Sequence, residues 1–199
     1  MKNKRKVRVI SLIAALLAIC ALGTSAYFTD RGTAKNIITT GGVKIDLIET
    51  AAIDGENVPF EDVVGVMPGS EVSKIVEVKN IGESDAYIRV SVEKALALAE
   101  GREGGVDLSL VTLDFNTEAW TEADGYYYYN SPLKPNETTA PLFTAVSFST
   151  DMGNLYQNSS LTVNVTAEAT QVANNGASAL TANGWPQSGE EAKNKKKRT

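Results

Sequence analysis

The stretch Tyr87-Ile88-Arg89-Val90-Ser91-Val92-Glu93 decides the fold class. Its apolar members, Ile88, Val90 and Val92, are all β-branched, and Tyr87, Arg89, Ser91 and Glu93 interleave with them. A period of two places the aliphatic side chains on one face of an extended chain and the others on the opposite face, the pattern of a half-buried strand. The same alternation recurs on both sides. Val43, Ile45 and Leu47 alternate with Lys44 and Asp46, and Leu108, Leu110, Thr112 and Asp114 interleave with Ser109, Val111, Leu113 and Phe115. Val72 to Lys79 is rich in β-branched residues, and Leu142 to Phe148 and Leu161 to Val172 are further strand candidates. Lys94 to Glu100 fits either a short helix or a strand end, and Ala177 to Ala182 fits a short helical turn before Trp185-Pro186. Turn signals separate the runs: Gly41-Gly42, Pro68-Gly69, Ile81-Gly82-Glu83, Asp124-Gly125, Pro135-Asn136 and Met152-Gly153-Asn154. Many short strands with regular turns predict an all-β, antiparallel β-sandwich.

Asp124-Gly125 lies between β-compatible segments, and Asp-Gly suits a two-residue type I′ hairpin, which needs positive φ at both positions. With that turn, Ala123 opposes Tyr126 and Trp120 opposes Tyr129. Successive residues of Tyr126 to Tyr129 then point to opposite faces. One pair packing in the core and the other on the outer face is the simpler arrangement, since aromatics are ordinary strand formers. The functional alternative is an exposed platform of Trp120, Tyr127 and Tyr129 for sugars or wall polymers.

The N-terminus has three zones in the order of a secretory signal. Lys2, Lys4, Arg5, Lys6 and Arg8 precede an apolar run from Val9 to Leu22, and Gly23-Thr24-Ser25-Ala26 supplies the small residues that a signal peptidase accepts. The apolar run is shorter than the roughly 20 residues of a membrane span. Cleavage is expected after Ala26, exposing Tyr27. Cys20 is the only cysteine, and Ile19 before it is wrong for a lipoprotein site, which needs a small residue there. The mature chain then has no cysteine, and its core must hold the fold without disulfides. The expected organisation is a signal peptide at 1–26, a mobile N-terminal segment at 27–38, a β-sandwich at 39–187 and a basic disordered tail at 188–199.

Five of the 19 basic residues and none of the 24 acidic ones lie in the leader, so the mature chain carries a formal charge of −10. That balance opposes nucleic-acid binding. Lys193, Lys195, Lys196, Lys197 and Arg198 form a basic exception at the end. Such a tail is either a solvated appendage or a contact for anionic wall polymers, weakened by salt. The chain has no histidine. Together with the loss of Cys20, this removes His- and Cys-based nucleophilic sites and His-ligated zinc. No Gly-rich phosphate loop and no EF-hand run is present. Asp54/Glu56, Glu61/Asp62 and Glu190/Glu191 sit in loop-like contexts and fit solvated acidic loops, with weak calcium binding as the alternative. No catalytic residue, cofactor site or metal site is expected. No Leu-Pro-x-Thr-Gly run with an apolar stop follows the domain, so covalent wall attachment is not expected.

Gly23-Thr24-Ser25-Ala26-Tyr27-Phe28-Thr29-Asp30, followed by Gly41-Gly42-Val43-Lys44-Ile45-Asp46-Leu47, resembles the camelysin/TasA-like family, exported proteins of Gram-positive bacteria processed by a SipW-type signal peptidase. The resemblance continues through Met67-Pro68-Gly69-Ser70, Val78 to Val90, Asp124 to Tyr129, Leu142-Phe143 and Ala167 to Gln171, and excludes the basic tail. It implies a jelly-roll-like sandwich, export, and self-assembly into matrix fibres, in which the freed N-terminal segment of one subunit adds a strand to the next. The donor would be Tyr27 to Ile38, in which Phe28, Gly32, Ala34 and Ile38 share one side when extended. Some camelysin-like proteins are classed as metallopeptidases; this chain has no HExxH-type helix to hold zinc. The expectation is a non-enzymatic, extracellular, self-assembling subunit that meets the membrane only through its signal peptide. A wall- or carbohydrate-binding adhesin is the alternative, and a peptidase the third reading.

Overall fold

The computed structural model describes residues 36–39, 42–60 and 67–186. They fall within one compact unit that begins at Lys35. The expected signal peptide, its Ala26–Tyr27 junction and the basic tail lie outside the described residues.

Among the described residues eleven strands form in order: β1 (Asn36–Thr39), β2 (Ile45–Ile53), β3 (Glu56–Pro59), β4 (Glu71–Ser73), β5 (Ile75–Asn80), β6 (Ala86–Ala97), β7 (Val111–Leu113), β8 (Trp120–Ala123), β9 (Tyr126–Tyr129), β10 (Ala145–Phe148) and β11 (Ser160–Gln171). They make a five-stranded sheet of order β1-β11-β6-β9-β8 and two three-stranded sheets, β4-β10-β7 and β3-β2-β5. All pairings are antiparallel except β1 with β11, which is parallel. The all-β class is thus as expected, and the helical content among the described residues is three short 3-10 turns.

The stretch that opened the sequence reading lies in β6, which pairs with β11 along its whole length, from Ala86↔Gln171 to Ala97↔Ser160. Lys94 to Ala97 therefore continue the strand, where the sequence left a short helix open. The alternation works as read: Ile88 and Val90 are fully buried. They join Val165, Ala167 and Ala169 of β11, Ile45 and Leu47 of β2, and Val76 and Val78 of β5 in one core with Leu142 and Phe143. Each fully buried large aliphatic side chain contributes about 1.5–3 kcal/mol. Leu142 and Phe143 precede β10, yet Leu142 N–H donates to the Val76 carbonyl and Val76 N–H to the Phe143 carbonyl.

Two polar devices hold the turns. The Asn80 side chain is fully buried and donates to the carbonyls of Ser84 and Leu133 at 2.9 Å while accepting from Gly82 N–H at 2.9 Å. A Cβ on Gly82 would sit 2.9 Å from the backbone nitrogen of Lys44, so a side chain there would force the turn open. Lys74, between β4 and β5, is buried against Glu49 at 2.6 Å and over the Phe60 ring at 3.8 Å. Asp124 and Gly125 have φ of 51° and 78°, the expected primed turn, with Ala123↔Tyr126 and Trp120↔Tyr129 in register.

Candidate functional site

The residues singled out for function fall into four groups. Ala26, Tyr27, Phe28, Gly32 and Ala34 precede the described residues, and Lys193, Lys195, Lys196, Lys197 and Arg198 follow them. The remaining two groups are Ile38 and the hairpin aromatics.

Ile38 lies in β1. Asn36 to Ile38, read from the sequence as the end of a mobile segment, align with Thr166 to Glu168 of β11. The side expected to be apolar is reversed: Ile37 packs against the core, and Ile38 is 40% exposed. The reason is register. Ile37 is level with Ala167, a core residue, and Ile38 with Glu168, which points the other way.

The aromatics correct the platform reading. Trp120 is 2% exposed and donates its indole N–H to the Ala140 carbonyl at 3.1 Å. Tyr129 packs on it with ring centroids 5.0 Å apart, and Tyr127 stacks on Phe115 at 4.2 Å, both against the core. Burial, with Glu122 nearby, raises the Tyr127 hydroxyl above its ordinary pKa. Trp120, Tyr127 and Tyr129 are therefore core-side residues, and the other pair, Tyr126 and Tyr128, occupies the outer face.

That outer face carries a charge cluster which the sequence did not reveal. Arg89 reaches Glu168 with both Nε and Nη2 at 2.6 Å. Its guanidinium lies 3.9 Å from the Tyr126 ring centroid and 4.7 Å from that of Trp185. Trp185 also meets Tyr128 edge-on at 5.8 Å. Burial opposes the charge on Arg89, but the hydrogen bond that it donates to the Tyr128 hydroxyl and the bond and charge of Glu168 outweigh it and raise its pKa. Tyr87 donates to the Gly176 carbonyl at 2.9 Å, and Ala179 and Ala182 pack beside it. The chain from Ala173 to Pro186 thus straps the outer face.

The edge of the sheet is less complete. β11 runs from Ser160 to Gln171, but β1 accompanies it only from Thr166 to Ala169. Among the described residues, Ser160 to Val165 have a strand partner on one side only, β6. Leu161 and Val163 are half-buried there, over a second core of Val111, Val146, Phe148, Met152 and Tyr156. An edge with unpartnered N–H and C=O groups is a template for another strand. No protein-family model, no curated protein and no solved structure matches this chain.

Proposed function

We propose that the chain is a secreted structural subunit, a fibre-former of a Gram-positive matrix or envelope, which assembles by strand donation between copies. The three sheets are taken as two layers of a jelly-roll-like sandwich. Val76 and Val78 of β5 and Ile88 and Val90 of β6 share one core, which supports the two-layer arrangement.

One observation carries the reading: the edge of β11 at Ser160 to Val165, which has no second strand partner among the described residues. A strand laid there gains main-chain hydrogen bonds and covers Leu161 and Val163. The segment upstream of β1 in the same chain is poorly phased for that role. In the register of β1, residues 31, 33 and 35 would fall level with Leu161, Val163 and Val165, and these are Arg31, Thr33 and Lys35. The apolar set Phe28, Gly32 and Ala34 would face outward. A second copy is not bound to that register and can turn the apolar set inward. Processing by a SipW-type signal peptidase would free the donor outside the cell. The basic tail would then add a salt-sensitive contact with anionic wall polymers.

Electron microscopy of the secreted protein, with its N-terminus sequenced, tests the reading. Filaments are expected from the chain beginning at Tyr27, and none from a chain lacking Tyr27 to Lys35, which keeps β1 intact. Phe28→Asp should weaken assembly without unfolding the domain. Filaments of equal yield from the truncated chain would overturn strand donation.

A further inference from the structure

At the end of β11 the strap borders an open hollow of about 560 Å³, whose lining includes Thr170, Gln171, Asn174, Asn175 and Asn183. A second lobe of about 330 Å³, which adds Ser84 and Asp85, shares Gln171 and Ala173 with it. Among the described residues no charged side chain lines the larger lobe, on a chain with 24 acidic and 19 basic residues. Its chemistry is that of carboxamides.

One carboxamide builds the site and the others are left to use it. Asn175 donates to the Thr170 hydroxyl at 3.2 Å and the Gln171 carbonyl at 3.0 Å. It accepts from Gly176 N–H at 3.0 Å and Asn183 N–H at 2.7 Å. The wall is closely fitted as well. A Cβ on Gly176 would lie 2.3 Å from the Thr181 carbonyl oxygen, and one on Gly184 would lie 2.6 Å from the Thr170 hydroxyl. Gln171, Asn174 and Asn183 line the hollow with side-chain amides that make no hydrogen bond to another described residue.

We propose that this hollow binds a short uncharged oligosaccharide. A carboxamide both donates and accepts, as a sugar hydroxyl does, so the two pair without leaving a charge unmatched. Among the described residues an anionic ligand would find no cation in either lobe, and a cation only Asp85 in the smaller one. An apolar ligand would find Ala173 as the one hydrocarbon side chain of the larger lobe. The two lobes meet at Gln171 and Ala173, which leaves room for a ligand longer than one sugar ring, and the fitted wall reduces the ordering cost of binding. The site is separate from the core-facing aromatics and from the β11 edge, so it stands whether or not the chain polymerises.

The test is an amide-resolved NMR titration of the full chain, held in a zwitterionic detergent where the leader is retained. The probes are maltotriose, cellotriose and triacetylchitotriose. Saturable shifts at Ala173 to Gly176 and Asn183-Gly184 are expected with at least one of them, with Kd near about 1 mM. Asn174→Ala with Asn183→Ala should weaken binding about tenfold, the worth of one or two hydrogen bonds. Trp185 fluorescence reports whether the strap stays in place. If it does not, Gln171→Ala alone replaces the pair and should weaken binding severalfold. No saturable shift with any probe, shifts confined to other regions, or unchanged affinity in the strap-intact variant would overturn the proposal.

Discussion

The two halves of β11 are treated differently by the rest of the chain. From Thr166 to Ala169 the strand has β1 on one side and β6 on the other, and the strap covers the outer face around Glu168 and Thr170. From Ser160 to Val165 its one strand partner among the described residues is β6, and Ser160, Thr162 and Asn164 are exposed. The complete half buries an ion pair; the open half keeps its polar residues in water. The difference separates what the domain uses to fold from what, under the proposed function, it would offer to a partner. It also says where substitutions should hurt.

The largest effect belongs to the covered half. Glu168→Ala leaves Arg89 charged, largely buried and without its carboxylate. A cost of about 3–5 kcal/mol is expected, the usual result of removing one partner of a buried pair. Urea unfolding measures it. Arg89→Met with Glu168→Leu should recover much of the loss, since an apolar pair of similar size costs no charge desolvation. If Glu168→Ala is neutral, the strap is not held by this pair.

A smaller effect is expected where the strap meets the sheet through a single hydroxyl. Tyr87→Phe removes the bond to the Gly176 carbonyl and keeps the ring. It should cost about 1 kcal/mol. Faster hydrogen exchange of the strap amides, with the exchange of β6 unchanged at Ser91 to Leu96, would show that the loss is local.

Acid should act first on the other side of the comparison. The core beneath the open half includes Val146 and Phe148 of β10, beside the residues that Asp114 ties down. Asp114 accepts from Thr144 N–H at 2.8 Å, Ala145 N–H at 2.7 Å and the Thr144 hydroxyl. Burial pushes the carboxyl up, but these donors together outweigh it and hold it below the usual carboxylate range. A depressed folded pKa means that the stabilisation is present above the unfolded value, near about 3.9, and is lost as pH falls through the folded one. Asp114 is exposed, so its worth is discounted to about 1 kcal/mol or less. Asp114→Asn should flatten the stability profile below pH 4; an unchanged acid limb would rule out this carboxylate as its source.

The sequence made some of this legible and hid the rest for physical reasons. β6 and most of β11 were readable because alternation reports a face buried on one side. Asp124-Gly125 was readable because a primed turn is a local demand on two residues. The same demand is met by Asp54-Gly55, with φ of 53° and 85°, which join β2 to β3. There the neighbouring Glu56 made the stretch resemble an acidic loop. Alternation assigned Tyr126 to Tyr129 to two faces but not the inner one, because that depends on pairing with β6 and β8 and on Trp185 arriving from far along the chain. Arg89 and Glu168 are 79 residues apart, and no local pattern links them. The hollow was invisible for the same reason: its amides come together only when the strap folds back.

The smallest effect on stability lies at Ile38, and its comparison with Ile37 is the sharpest test of phase. Ile37 is in the core and Ile38 is not, although the two are adjacent and identical. Ile37→Ser should cost more than about 1 kcal/mol, since it removes apolar burial and places a hydroxyl beside the core. Ile38→Ser should change stability by less than about 0.5 kcal/mol, as exposed substitutions do. Under strand donation Ile38 sits on the same side as Phe28, so Ile38→Ser should still lower filament yield where it leaves the monomer intact. Paired measurements of urea midpoint and filament mass separate the two roles. If Ile38→Ser unfolds the domain as readily as Ile37→Ser, β1 lacks the phase described, and extending its register would no longer place Lys35, Thr33 and Arg31 level with the core-facing residues of the open edge. The argument for a second copy would then fail with it. If Ile38→Ser changes neither quantity, the donor reaches its partner without this residue, and the contact must be sought nearer Phe28.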